Sequence, residues 1–267
     1  MSLDWAAGRG RLTAGGKSLE WGACGPPPSC GRAVILLLHE GLGCLALWRD
    51  FPARLAARTG HPVFAYSRAG YGQSDPAALP RPLDYMTREA LQVLPEVLTA
   101  LGAPAFVLLG HSDGATIAAI YAGTAADDRL RGLILMAPHF FTEPEGLAEI
   151  GKARTAFAAT DLAARMARYH RDPAATFRGW NDAWLDPGFV SWNVAAAIDG
   201  FRVPALALQG RDDPYGTLAQ LHEVEKRSPA AVEVAVLNDC RHSPHWDRPE
   251  ETLDAVAAFV ARLDGAA

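Results

Sequence analysis

The residues best suited to chemistry are in a pentapeptide with a serine at its centre, GHSDG at residues 110–114. It follows the apolar run 105–109 and leads into a helical pattern at 115–120. A chain that leaves a strand, turns sharply on two glycines and enters a helix exposes the central side chain at the apex of the turn. The pattern predicts that Ser112 is a nucleophile, and an inert serine in a tight turn is the alternative.

Ser112 needs two further groups to act as a nucleophile at neutral pH. An imidazole must take the hydroxyl proton, and a carboxylate must orient that imidazole. Carboxylates at Asp212 and Asp213 follow a predicted strand, and imidazoles at His242 and His245 precede the last helical pattern. The residue types predict a Ser-His-Asp arrangement, and the spacing alone leaves both members of each pair open.

The order and setting of these residues resemble the α/β-hydrolase family, and the resemblance covers nearly the whole chain. In that family the acid ends a G-x-x-D loop, and the base stands before a Pro-Glu pair that opens the last helix. The resemblance implies a triad of Ser112, Asp213 and His242, because Asp213 is the fourth residue of GRDD at 210–213. Arg241, where the family usually has glycine, is a departure.

The resemblance also implies an oxyanion hole, in which two backbone N–H groups point at the developing negative charge. One would be the N–H of Asp113, directly after the nucleophile. The other would come from the HEGLG loop at 39–43, where Gly41 is the expected donor. Leu42 is the alternative donor and is expected to line the substrate pocket. Glu40 replaces a glycine of the longer family motif and places a carboxylate near the site.

The strand–helix alternation stops between residues 140 and 200, where the sequence becomes helical, rich in Ala and Arg, and aromatic. In the family, an insertion at this point forms a cap over the active site. The expected organisation is a hydrolase core at 1–139 and 201–267, with a helical cap, or lid, at 140–200.

Substrate contacts are expected from the cap and from one further loop. Three tryptophans of the cap are predicted to line an apolar or aromatic acyl pocket, with packing alone as the alternative: Trp180, Trp184 and Trp192. Arg68 lies in a segment that resembles the family's D-x-x-G-x-G-x-S loop and could touch a substrate carboxylate. Asp113 is expected either to make the pocket floor acidic with Glu40 or to point into a polar network with Arg68.

Short apolar runs alternate with longer helical patterns, which is typical of a parallel sheet covered on both faces. Strands are predicted at 33–38, 62–66, 105–109, 132–137, 205–209 and 232–237, and helices at 48–58, 85–101, 115–123, 217–227 and 250–263. A hairpin between residues 11 and 25, turning at Gly15-Gly16, is expected to edge the sheet. The predicted class is α/β: a mostly parallel, doubly wound sheet of the α/β-hydrolase type with a helical cap insertion.

Composition points to a small-molecule substrate. A chain of 267 residues, 49% of them hydrophobic, can bury a large core. Its net charge of −5 and the lack of a Lys/Arg run predict no binding to nucleic acid or to an anionic membrane. Four scattered cysteines and an N-terminus without a signal-peptide pattern predict free thiols and a cytoplasmic protein. The oligomeric state stays open, with a homodimer among the alternatives.

These features predict an esterase or thioesterase that needs no cofactor. The histidines show no H-E-x-x-H or similar spacing, so no metal site is expected. One alternative within the family is a carbon–carbon bond hydrolase of the aromatic meta-cleavage type, which would need a polar pocket for a substrate carboxylate. A non-catalytic ligand-binding protein of the same fold is the alternative from another class.

Overall fold

A computed structural model of the chain describes residues 3–265 and places eight strands in one sheet. The strands are β1 (Arg9–Ala14), β2 (Lys17–Cys24), β3 (Val34–Leu38), β4 (Val63–Tyr66), β5 (Phe106–His111), β6 (Leu130–Met136), β7 (Ala205–Gly210) and β8 (Val232–Leu237). Their order is β1-β2-β4-β3-β5-β6-β7-β8. The pairings β1–β2 and β2–β4 are antiparallel, and all others are parallel. The carboxyl ends of β3 to β8 therefore meet at one edge of the sheet.

Helices cover both faces of the sheet. They are α1 (Phe51–Thr59), α2 (Tyr85–Arg88), α3 (Leu94–Leu101), α4 (Asp113–Thr124), α5 (Pro144–Ala159), α6 (Leu162–Met166), α7 (Pro173–Trp184), α8 (Ala219–Arg227), α9 (Pro244–Asp247) and α10 (Pro249–Gly265). A π-helical stretch, Glu89–Val93, joins α2 to α3. Short 3₁₀ turns lie at Trp5–Ala7, Pro28–Cys30, Leu45–Trp48, Pro187–Phe189 and Ala195–Gly200.

Two apolar layers hold the sheet between these helices. Successive residues of a strand face opposite sides, so Leu36 packs into one layer and Leu37 into the other. One layer includes Phe51 of α1 and Phe259 of α10. The other layer includes Ile117 of α4. The central strands are buried on both faces, which explains their nearly continuous runs of aliphatic residues.

The predicted α/β class, with a mostly parallel sheet and helices on both faces, is confirmed. Each predicted strand and helix is present with ends that differ by a few residues, and β1 and β2 form the expected edge hairpin. The turn of that hairpin has Gly15 and Gly16 at φ values of 58° and 67°, in the left-handed region that favours glycine.

The expectation that every parallel strand is buried on both faces is wrong for β8. This strand lies at the far edge of the sheet, and the side chain of Val234 is 36% exposed. Glu233, also exposed, pairs with Arg262 of α10. An edge strand has a neighbour on one side only, and charged side chains there discourage pairing with another chain.

The described segment between β6 and β7 carries α5, α6 and α7 and contributes no strand to the sheet. Helix α7 begins where the Asp172 carboxylate accepts a hydrogen bond from the Ala175 N–H, and Pro173 occupies its first turn. Trp180 and Trp184 lie four residues apart on this helix, so they share one face. That face is turned toward the carboxyl edge of the sheet, where Gly41 contacts the Trp180 indole.

Candidate active site

Ser112 occupies a strained turn between β5 and α4. Its backbone has φ 53° and ψ −119°, a conformation that residues other than glycine rarely adopt. The Ser112 N–H donates to the Met136 carbonyl at 2.9 Å, and the Ser112 carbonyl accepts from the first turn of α4. These bonds hold the turn, and the hydroxyl is left at the carboxyl edge of the sheet.

Both glycines of the pentapeptide are required by packing. A Cβ at Gly110 would overlap the backbone at Gly114 and Ala115, and one at Gly114 would overlap the carbonyl of Leu38. The turn thus brings α4 against β5 and β3 at distances that a larger residue would prevent.

The structure brings Ser112, His242 and Asp213 into hydrogen-bonding contact. Nε2 of His242 lies 3.0 Å from Oγ of Ser112, and Nδ1 of His242 lies 2.9 Å from both carboxylate oxygens of Asp213. Because the carboxylate can only accept, Nδ1 carries a proton. In the neutral ring, Nε2 is then free to accept the Ser112 hydroxyl proton.

The surroundings of Asp213 keep its carboxylate ionised. Burial by itself would raise its pKa, but the charge and hydrogen bond of His242 and the Tyr215 N–H together lower the pKa below its ordinary value. An ionised Asp213 favours the imidazolium that His242 becomes when it takes a proton.

The structure distinguishes Asp213 from Asp212 and His242 from His245, the alternatives that the spacing left open. Asp212 is exposed and makes no contact with His242, while Asp213 is the carboxylate bonded to it. His245 is buried against Trp48 and Phe51, with ring centroids 5.0 and 5.5 Å away. Burial lowers the pKa of His245 to about 3, so this ring is neutral.

The two amides expected to form an oxyanion hole are unused by the protein. Within residues 3–265, neither the N–H of Gly41 nor that of Asp113 donates a hydrogen bond. The Glu40 carbonyl before Gly41 accepts from His39 Nδ1 at 2.7 Å, from Arg68 Nη2 at 3.0 Å and from the Gly43 N–H at 3.1 Å. These three donors fix the loop, and the Gly41 amide remains available.

The side chain of Asp113 points into a buried network and away from the cavity. Its Oδ2 accepts from the Tyr85 hydroxyl at 2.5 Å, and the Tyr85 oxygen accepts from Trp184 Nε1 at 3.0 Å. Burial raises the pKa of Asp113, an effect that Arg68 and Tyr85 partly offset. Of the two interpretations of Asp113, the polar network is the one the structure supports.

A cavity of about 140 Å³ opens at Ser112. Its lining comprises Glu40, Gly41, Leu42, Ser112, His139, Ile150, Trp180, Trp184, Tyr215 and His242. Leu42, Trp180 and Trp184 are therefore placed where substrate contacts were predicted. A larger surface groove of about 1030 Å³ runs beside β1 and α3, but none of the candidate catalytic residues lines it.

Two predicted substrate contacts need correction. Arg68 is fully buried, and its guanidinium donates to the carbonyls of His39 and Glu40, so it braces the loop and does not reach the cavity. Trp192 lies beyond the end of α7 and packs on Phe189 and Trp184, with ring centroids 4.9 and 5.7 Å away. Trp192 thus supports the wall that Trp184 forms.

Four residues of the site were missed in the sequence, and one of them, Ile150 of α5, lines the cavity. His139 and Tyr215 line the cavity, and His111 lies behind His242, donating from Nε2 to the His242 carbonyl at 2.7 Å. His139 follows β6 and Tyr215 follows β7, so their position after a parallel strand was a usable signal. Burial and the positive charge that His242 can carry lower the pKa of His139 to about 3, so its imidazole is neutral.

In the part of the chain that the structure describes, no cluster of three or more His, Cys, Asp or Glu side chains is arranged to hold a metal. Among the helices between residues 3 and 265, none combines the length and the apolar character needed to cross a membrane.

Comparison with known proteins gives one family match over most of the chain. The model of the alpha/beta hydrolase family matches residues 35–255. Among curated proteins, 1-acylglycerol-3-phosphate O-acyltransferase ABHD5 of Pongo abelii and of Homo sapiens is 31% identical over 118 residues. This match covers 44% of the chain and only 33% of the length of those relatives.

Solved structures resemble the whole chain in fold. The enol-lactonase from Burkholderia xenovorans LB400 has a TM-score of 0.74 at 20% identity, over 94% of this chain and 100% of that one. A carboxylesterase structure from the thaumarchaeon Nitrososphaera gargenis has a TM-score of 0.76 at 18% identity, over 97% and 100%. At these identities the likeness concerns the fold alone.

Proposed function

Because the chain belongs to the α/β-hydrolase family, we propose that it is a serine hydrolase that cleaves a carboxylic ester or thioester of a small apolar or aromatic acid. The observation that carries this proposal is the hydrogen-bonded series Ser112–His242–Asp213 at the floor of a cavity. A binding protein has no physical need for a serine hydroxyl that is bonded to an imidazole and a buried carboxylate together.

In the first half of the reaction, Ser112 Oγ attacks the substrate carbonyl while His242 Nε2 takes the hydroxyl proton. The carbonyl oxygen becomes negatively charged in the tetrahedral intermediate. The free N–H groups of Gly41 and Asp113 would donate hydrogen bonds to this oxygen. The intermediate collapses when the bond to the alcohol or thiol breaks and His242 gives its proton to that leaving group.

In the second half, water hydrolyses the acyl-enzyme on Ser112. His242 takes a proton from the water, the resulting hydroxide attacks the acyl carbonyl, and the same two amides stabilise the charge. The proton then returns from His242 to Ser112 Oγ as the acid leaves. Asp213 stays ionised throughout and holds the imidazole in the required tautomer.

The cavity supports a small substrate group with substantial apolar surface. About 140 Å³ is room for a few carbon atoms, and the walls are mainly Leu42, Ile150 and aromatic rings. The helical segment between β6 and β7 supplies Ile150, Trp180 and Trp184 to these walls, so we propose that it acts as the cap. Its packing would then determine which acyl group fits.

The carbon–carbon hydrolase alternative receives less support. That reaction would require a cationic or polar group to hold a substrate carboxylate, and Arg68 was the residue considered for it. Arg68 is buried under the loop, while Glu40 lines the cavity, and its negative charge would repel a substrate carboxylate. We therefore favour ester or thioester cleavage.

Reaction with a fluorophosphonate probe tests the proposal. The wild-type protein should gain the mass of one probe molecule, and Ser112→Ala and His242→Ala should each lose this labelling. Ser191→Ala and His222→Ala, at exposed positions, are the matched controls and should label as the wild type does. A folded wild type that remains unlabelled would overturn the proposal and favour the ligand-binding alternative.

A further inference from the structure

Glu40 is an acidic residue in a cavity that otherwise looks built for apolar groups. It immediately follows His39 at the end of β3, and its side chain, 20% exposed, lines the cavity beside Ser112. Among the described residues that form this lining, no lysine or arginine is present. A carboxylate in this lining requires a physical explanation, because a negative charge so near Ser112 acts on any substrate bound there.

Among the side chains that the structure describes, one is placed to donate to the Glu40 carboxylate, that of His111. Nδ1 of the fully buried His111 lies 3.5 Å from Oε2, at the limit of a hydrogen bond. Within residues 3–265, no other side chain or amide donates to either carboxylate oxygen. A carboxylate has about four acceptor positions, so Glu40 keeps unused acceptor capacity.

The charge state of Glu40 supports this interpretation. Burial alone would raise its pKa, but the hydrogen bond and the positive charge of His111 outweigh burial and lower the pKa well below the ordinary value of a glutamate. Glu40 is therefore a carboxylate anion. The pKa of His111 is raised, since the attraction of Glu40 outweighs the effect of burial, so its imidazolium balances part of the Glu40 charge from behind.

The remaining walls are of a kind that favours a cation. Trp180, Trp184 and Tyr215 line the same cavity as Glu40. Aromatic rings attract alkylammonium groups through the negative charge on their faces, and the methyl groups of such a cation also bury well against apolar walls. An aromatic box with one carboxylate is therefore complementary to a group that is both positively charged and apolar on its surface.

The proposed reaction gives a second reason to expect a positively charged substrate. Negative charge develops on the substrate oxygen at the amides of Gly41 and Asp113, and Glu40 directly precedes Gly41. With a neutral substrate, the Glu40 anion would oppose that charge. A substrate that brings a positive charge to Glu40 would neutralise the opposing field, so the carboxylate would favour catalysis only for cationic substrates.

We propose that the cavity binds an alkylammonium group of the substrate between the Glu40 carboxylate and the rings of Trp180, Trp184 and Tyr215. The inference rests on the proposed ester hydrolysis and specifies its substrate class as cationic esters or thioesters. Glu40 is the specificity-determining residue, and His111 holds its carboxylate from the protein side.

Two pairs of isosteric esters test this inference. In one pair, acetylcholine is compared with the uncharged ester in which carbon replaces the quaternary nitrogen, so the cation lies on the alcohol. In the other pair, the ethyl ester of a trimethylammonio-butyric acid is compared with its carbon isostere, so the cation lies on the acid. The measurement is the ratio of kcat/KM for the charged ester to kcat/KM for its neutral isostere.

The wild type should prefer the charged member of at least one pair by about tenfold or more, a typical contribution for a desolvated cation on aromatic rings and a carboxylate. Glu40→Gln, which has nearly the same shape, should bring the ratio close to unity. Glu40→Asp retains the charge and should keep a preference. Glu225→Gln, at an exposed position outside the cavity, is the control and should show the wild-type ratio.

Tetramethylammonium provides a measurement that does not depend on the variants. It should inhibit wild-type hydrolysis of the neutral ester competitively, and tert-butanol at equal concentration should inhibit much less. A wild-type ratio near unity in both pairs overturns the inference and leaves the hydrolase proposal standing. An unchanged ratio in Glu40→Gln also overturns it. Hydrolysis of no ester, with Ser112 unlabelled by fluorophosphonate, overturns the proposed function and this inference together.

Discussion

Asp213 presents both of its carboxylate oxygens to the same atom of His242, Nδ1, at 2.9 Å each. Such contacts fix the rotation of the imidazole and leave Nε2 directed at Ser112, 3.0 Å away. The carboxylate is held in turn by the Tyr215 N–H at 2.9 Å. The orientation of the base is thus set by a buried acid that the backbone positions.

Replacing Asp213 with asparagine should strongly reduce turnover. An asparagine amide can donate to Nδ1 and so favours the wrong tautomer of His242, which typically lowers kcat by about 10⁴-fold. Asp212→Asn is the matched control, because Asp212 is exposed and does not contact His242. Steady-state kinetics and thermal unfolding of both variants provide the measurement. A large loss in Asp212→Asn with a silent Asp213→Asn would contradict the assignment.

Backbone strain at Ser112 predicts that, of two variants lacking the hydroxyl, the glycine variant is more stable than the alanine variant. Alanine keeps the cost of φ 53° and ψ −119°, whereas glycine adopts this conformation more readily. Ser112→Gly should therefore exceed Ser112→Ala in free energy of unfolding by about 1 kcal/mol. Urea denaturation of the two variants gives the difference. Equal stability, or a more stable alanine variant, would mean that the turn is not strained.

Gly41→Ala should reduce activity, since an added Cβ would overlap the indole of Trp180. Either the indole or the Gly41 amide must move, and loss of one oxyanion donor typically costs about 10²–10³-fold in kcat. Gly151→Ala is the control, because a Cβ at this position in α5 would meet no atom within 4 Å other than those of the adjoining helix backbone. That variant should keep wild-type kcat/KM, and wild-type kinetics in Gly41→Ala would exclude the proposed role of this loop.

Asp113→Asn should change how stability depends on pH. The folded-state pKa of Asp113 is raised, so its contribution is fully present below the unfolded-state pKa of about 3.9 and is lost as pH rises through the folded-state value. Asparagine does not titrate. The wild type should therefore lose stability relative to Asp113→Asn as pH increases from about 4 toward neutrality.

Urea unfolding of both proteins across this pH range gives the difference in free energy. Asparagine can still accept the hydrogen bond from the Tyr85 hydroxyl, so the comparison isolates the charge. A difference that is the same at every pH would show that Asp113 does not titrate as its burial indicates.

Much of the site was predictable because each triad candidate follows a strand. Ser112 follows β5, Asp213 follows β7 and His242 follows β8. Parallel strands end at one edge of the sheet, so residues that follow them come together whatever their separation along the chain. The same rule placed Gly41, after β3, beside Ser112.

Other contacts depend on side-chain directions that a sequence pattern does not contain. Tyr85 and Asp113 are on different helices, and their hydrogen bond results from the way α2 packs on α4. Arg68 follows β4 at the expected edge of the sheet, yet its guanidinium donates hydrogen bonds to two backbone carbonyls and does not reach the cavity. The sequence does not show that α7 ends at Trp184. It therefore could not show that Trp192, which lies beyond that end, is placed differently from Trp180 and Trp184.

Helix α7 contacts the candidate oxyanion residues at two points, one direct and one through Tyr85. Trp180 lies against Gly41, and Trp184 reaches Asp113 through Tyr85. Transplanting a related protein's insertion would therefore exchange more than a substrate filter. Such a chimera would also need the recipient's glycine loop and tyrosine to fit the new helix, so the proposed cap and the proposed oxyanion hole would have to be exchanged together.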